Sequence, residues 1–126
     1  MGAPGYSTKG FGQLGAVYYS PSLTEQSNID SGKPHLTASD AYSRFGYGLA
    51  ALDINRDGID DLVVSAPAHG KGGPTDYTDY YPKAYNGRVY VYLGSKGTGI
   101  AQGAQPDFEI RTRNEEQEDK VFFNLG

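Results

Sequence analysis

The chain has 126 residues, of which 37% are hydrophobic and 21% charged, a balance that suits a folded globular protein and excludes a disordered tail or linker. A formal net charge of −4 goes against the Lys/Arg stripe on which phosphate-backbone binding rests, so nucleic acid is excluded as a partner class. The absence of cysteine removes disulfides, zinc thiolate centres and thiol nucleophiles together, and no stretch approaches the roughly 18 apolar residues of a membrane span.

Taken in chain order, the marks of the sequence repeat. Gly2-Ala3-Pro4 recurs as Ser65-Ala66-Pro67, 63 positions on. The stretch GAVYYS from Gly15 recurs as GRVYVYLG from Gly87, 72 positions on, and Pro34 and Pro106 share that second offset. RFGYG, Arg44 to Gly48, has a weaker echo in the C-terminal FNLG. The same marks in the same order at unequal offsets describe repeats with insertions of different length. The chain then begins and ends in mid-repeat. Met1 is expected to be an internal residue of a longer parent, in the last strand position before a Gly-Ala-Pro corner, so a missing signal peptide carries no information.

Between these marks the pattern is that of β-structure. Leu62-Val63-Val64 is a short apolar run closed by Pro67; Arg88-Val89-Tyr90-Val91-Tyr92 alternates β-branched and aromatic residues; Phe108-Glu109-Ile110 alternates too. The 18 glycines supply turns, and no segment keeps a 3.6-residue period. About four short strands per repeat suggests a propeller blade, which exposes apolar faces unless neighbouring blades cover them. The expected organisation is a partial repeat over 1–38, a complete four-stranded blade over 39–112, and a linker with the start of a further repeat over 113–126. Two segments read as surface connections: the Gly-, Pro-, Asp- and Tyr-rich stretch from His69 to Gly87, and the charged run from Arg113 to Asp119. Tyr77, Tyr80, Tyr81 and Tyr85 in the first of these could form an adhesive surface, although packing over a blade rim is the favoured reading.

The chemistry concentrates in LDINRDGIDDLVVSAP, Leu52 to Pro67. Asp53, Asn55, Asp57 and Asp61 stand at positions 1, 3, 5 and 9 of a tight loop, with Gly58 at position 6 where the chain must turn sharply. Alternate side-chain oxygens at that spacing converge on one centre, and Ile59 at position 7 can add its main-chain carbonyl, which is the hard-oxygen donor set that Ca²⁺ takes. An Asp/Asn/Gly-rich turn would use one or two such residues for its own hydrogen bonds; four in register with the glycine favour a cation. Position 12, where an EF-hand has a bidentate Glu, is Val64 in a strand-like run, so the loop belongs to a β-hairpin. Asp60 is off-register and expected to face solvent. His35 and His69 are the candidates for an enzyme site, but no nucleophile or ligand set lies near either in sequence, and both read as loop or packing residues.

RFGYGLAALDINRDGIDDLVVSAP resembles the FG-GAP repeat of integrin α-subunit propellers, with Phe45-Gly46, the acidic loop, and Ser65-Ala66-Pro67 where the family has Gly-Ala-Pro. Gly2-Ala3-Pro4 matches that corner in full. The resemblance implies an all-β fold, a β-propeller segment from a parent usually of seven blades, with Ca²⁺ in the loop joining the first two strands of a blade. YNGRVYVYLGSKGTGI, Tyr85 to Ile100, resembles the propellers of the glycosylphosphatidylinositol-specific phospholipase D family, as does FNLG. That resemblance implies a secreted, GPI-cleaving parent whose catalytic zinc domain precedes the propeller, with no catalytic position in this chain. The chain would then be a calcium-binding scaffold or docking module, partnered by neighbouring blades and by a protein or GPI-anchored ligand. An integrin-like adhesion propeller is the alternative.

Overall fold

The computed structural model describes residues 1–8, 12, 14–19, 33–38, 43–67 and 87–111. These form seven strands: β1 (Gly2–Ala3), β2 (Ala16–Val17), β3 (Leu36–Thr37), β4 (Leu49–Leu52), β5 (Asp61–Ala66), β6 (Arg88–Tyr92) and β7 (Phe108–Ile110). They make two antiparallel sheets in which every strand pairs with its sequence neighbour, β1-β2-β3 and β4-β5-β6-β7. The second is a four-stranded meander, the unit of a propeller blade.

The repeats read from the sequence are repeats of pairing. Gly2 lies opposite Val17 in the first sheet, and their counterparts Ser65 and Val89 lie opposite one another in the second. Ala3 with Ala16 likewise becomes Ala66 with Arg88. Two details differ from expectation. Gly2-Ala3 and Ser65-Ala66 still belong to their strands, and the chain turns only from Pro4 and beyond Ala66, because proline is the residue that cannot donate to the ladder. Moreover, Leu36 opposite Val17 corresponds to Ile110 opposite Val89, 74 positions on, so Pro34 and Pro106 do not occupy equivalent places.

Leu62, Val64 and Ala66 alternate with Asp61, Val63 and Ser65 along β5, so the two sets point to opposite faces. The first set, with Tyr90 and Tyr92 across the ladder, packs against Val17 and Leu36 of the first sheet. Phe45 lies between the sheets at 1% exposure, its ring edge-on to Tyr90 and Tyr92 at centroid distances of 5.6 and 6.4 Å. The main chain around it staples the sheets together. Phe45 N–H donates to the Leu14 carbonyl at 3.2 Å, and Gly46 N–H donates to the Ser65 carbonyl at 3.0 Å. A Cβ on Gly46 would come within 2.5 Å of the Ala16 carbonyl oxygen, and its φ of +87° is one that only glycine takes without strain. Ser65, the departure from Gly-Ala-Pro, puts its hydroxyl to use: Gly48 N–H donates to Ser65 Oγ at 2.8 Å.

The segments 69–86 and 113–119, with Tyr77, Tyr80, Tyr81, Tyr85 and His69, and the terminal FNLG lie outside the described residues.

Candidate metal centre

The acidic loop is the connection of the β4–β5 hairpin, whose last pair sets Leu52 opposite Asp61. It joins the first two strands of the four-stranded sheet, as the family resemblance implies, and no helix leaves it, as the strand-like run at Val64 predicts. Arg56 and Gly58 take positive φ, +61° and +84°, and these two left-handed residues turn the chain within the loop.

The carboxylates are organised by the loop's own amides. Asp53 accepts from Asp57 N–H at 3.0 Å on Oδ1 and from Gly58 N–H at 2.8 Å on Oδ2. Asp57 Oδ1 accepts from Ile59 N–H at 2.9 Å, while Asn55 Nδ2 donates to Asp57 Oδ2 at 3.2 Å and Asn55 Oδ1 accepts from Asp57 N–H at 3.3 Å. Asp53, Asn55 and Asp57 therefore form one knot at the hairpin tip, with Asn55 and Asp57 exposed and Asp53 half-buried. Asp60 is exposed, as expected. Ile59 is half-buried, its amide engaged by Asp57.

Asp61 is different. It sits at the base of the hairpin with 1% exposure and accepts from Ile54 N–H at 2.8 Å on Oδ2 and from Gly94 N–H at 2.9 Å on Oδ1. The Gly94 amide is the main cause that holds its pKa below the ordinary carboxylate value; burial pulls the other way, and the Ile54 and Asn55 amides add to the lowering. It is an anion buried on amide dipoles. Among the described residues, no three His, Cys, Asp or Glu side chains gather closely enough to hold a metal by themselves. The donors expected from the sequence also include the Asn55 amide and the Ile59 carbonyl, an all-oxygen chemistry of the kind a hard divalent cation takes. The sequence reading missed Gly94, which ties Asp61 to the end of the adjacent strand β6; nothing in the loop's spacing signals a partner 33 positions away.

A cleft of about 690 Å³ opens between the sheets, with Arg88, Tyr90, Glu109, Gln102 and Gln105 among its walls. Arg88 of β6 and Glu109 of β7 pair with one another along one wall. Its histidine, His35, is a packing residue: the ring stacks against Tyr19 at 5.0 Å, and Nε2 is bonded to the Ile100 carbonyl. Among the described residues, no helix is long and apolar enough to cross a membrane.

A four-stranded antiparallel meander, packed face to face on a preceding sheet and carrying an acidic loop in its first hairpin, defines a bladed β-repeat protein. Residues 45–92 match the FG-GAP repeat, and the described residues have the all-β, bladed architecture of a β-propeller segment. It is 43% identical over 130 residues to phosphatidylinositol-glycan-specific phospholipase D of Mus musculus and 35% identical over 132 residues to that of Homo sapiens; each alignment covers 100% of this chain and 14% of the relative. It is 32% identical over 86 residues to integrin alpha ina-1 of Caenorhabditis elegans, covering 66% of this chain and 7% of the integrin. The chain thus spans about a seventh of the length of the phospholipase relatives. No solved structure matches it.

Proposed function

We propose that the chain is the calcium-binding β-propeller portion of a secreted, GPI-specific phospholipase D-like protein, in which it acts as a scaffold or docking module. The observation that carries this reading is the extent of the likeness: the mouse and human phospholipases align over all of the chain, the integrin over 66% of it. Residues 39–112 are the complete repeat, 1–38 the end of the preceding one, and 113–126 a linker with the start of the next. Asp53, Asn55, Asp57, Asp61 and the Ile59 carbonyl are the residues that would hold Ca²⁺. The ion would supply positive charge to a hairpin whose acids otherwise lean on amide dipoles alone.

Titration calorimetry on the full-length protein tests the site. Asp57→Ala should lose one calcium-binding event; unchanged stoichiometry removes the assignment. The wider reading is tested by release of a GPI-anchored reporter from cells exposed to the full-length protein. Release is expected, and its absence together with cell adhesion would favour an integrin-like role.

A further inference from the structure

The connection between β6 and β7 touches the acidic hairpin at one end and the preceding sheet at the other. At its start, Gly94 N–H donates to buried Asp61, and a Cβ on Gly94 would meet the Asp60 carbonyl and lie 2.9 Å from Ile59 Cγ2. The hairpin's last turn is therefore seated directly on Gly94. From there the chain closes a small loop on itself, Ser95 and Gly99 exchanging N–H donors at 2.9 and 2.8 Å. That loop and the residues just after it, up to Gly103, reach the first sheet and the residues that flank its strands. Gly99 faces the Tyr19 hydroxyl so closely that any side chain there would collide with it. The Ile100 side chain enters the core shared by the sheets, and its carbonyl is bonded to His35. Gly103 N–H donates to the His35 carbonyl at 2.8 Å.

We infer that residues 94–103 are a strut through which a cation in the β4–β5 hairpin tightens the junction between this blade and the one before it, with Gly94 as the positioning residue. The inference rests on the calcium reading proposed above and goes beyond it, because the hairpin tip itself makes none of these junction contacts. A cation that draws Asp61 and the Ile59–Asp60 turn into one arrangement restricts Gly94. Gly94 is joined through the short Ser95–Gly99 loop to Tyr19 and His35, so the restriction has a continuous path of hydrogen bonds and close packing to travel. Segments with few buried contacts exchange their amides by local opening, so a ligand that stabilises the closed form slows exchange wherever the opening is shared.

Peptide-resolved hydrogen exchange on the full-length protein, with Ca²⁺ or with chelator, separates this hairpin from any other calcium site. In the wild type, Ca²⁺ should slow exchange about tenfold both at 54–61 and at 94–103. In Asp57→Ala, altered at the exposed tip away from Gly94, both responses should vanish. Slowing confined to 54–61 overturns the strut and leaves the metal site standing. A response at 94–103 that survives in Asp57→Ala also overturns it, since the effect would then come from another site. No slowing in either segment overturns the metal reading and the strut together. Gly94→Ala, which forces the Asp60 carbonyl aside, should abolish the response at 94–103 if it folds; a full response there would equally overturn the strut.

Discussion

The two faces of the four-stranded sheet carry similar apolar chemistry and have different surroundings. On one, Val64, Ala66 and Tyr92 are buried against Val17 and Leu36 of the preceding repeat and against Phe45, which lies between the sheets. On the other, Val91 is buried and Val63 and Val89 half-buried, while Leu52, Phe108 and Ile110 are 45%, 57% and 54% exposed. Strand alternation supplies both faces, and a neighbouring sheet is what turns a face into a core. A blade is thus half of two cores, and large apolar side chains left in the open are the sign of a missing neighbour.

The comparison can be broken most directly at Phe45. Phe45→Ala should destabilise the full-length protein by about 3–5 kcal/mol in urea unfolding, the usual cost of emptying an aromatic site between packed layers. A loss under about 1 kcal/mol would mean that the covered face is not a core. Phe108→Ala sharpens the contrast. If a following blade covers the open face, as propeller repeats imply, the change should cost about 2–3 kcal/mol in the full-length protein despite the exposure seen here. A loss within about 0.5 kcal/mol would show that the face stays in solvent.

Tyr92 offers a test by pH. Burial, with a smaller contribution from Tyr90, pushes its phenol up to about 12. An unfolded tyrosine ionises near 10, so between those values the unfolded chain gives up the proton first and the folded chain binds more. Stability should therefore fall as pH rises from about 10 to about 12. Tyr92→Phe should flatten that fall in alkaline thermal melts, and an unaltered slope would place the phenol in water. The smallest effect is expected at Ser65→Ala, which leaves Gly48 N–H without its acceptor at a site 5% exposed and should cost about 1 kcal/mol. A stabilised variant would show that the hydroxyl is dispensable there.

Much of this was legible from residue order. Repeats at unequal offsets, β-branched and aromatic alternation in Arg88–Tyr92, and an acidic loop running into Leu62-Val63-Val64 are local patterns, and local patterns follow from backbone and turn chemistry that each stretch carries with it. They determine an all-β repeat, its hairpins and the place of the candidate cation site, and β5 and β6 do pair with Val63 opposite Val91. What the sequence could not carry was distance. Asp61 reads as one more loop acid, yet it is buried on an amide from Gly94, 33 positions away, while Asp57 stays exposed at the tip and Asp53 is only half-buried. The third strand pairs two residues away from the offset that Pro34 and Pro106 share, because the turn and loop length of each hairpin set its register and a two-residue shift leaves the same side chains facing the core. Which apolar face becomes core, and which glycines lie against another strand's carbonyls, exist only once two repeats are stacked, and that is a property of surfaces in contact rather than of any one stretch of chain.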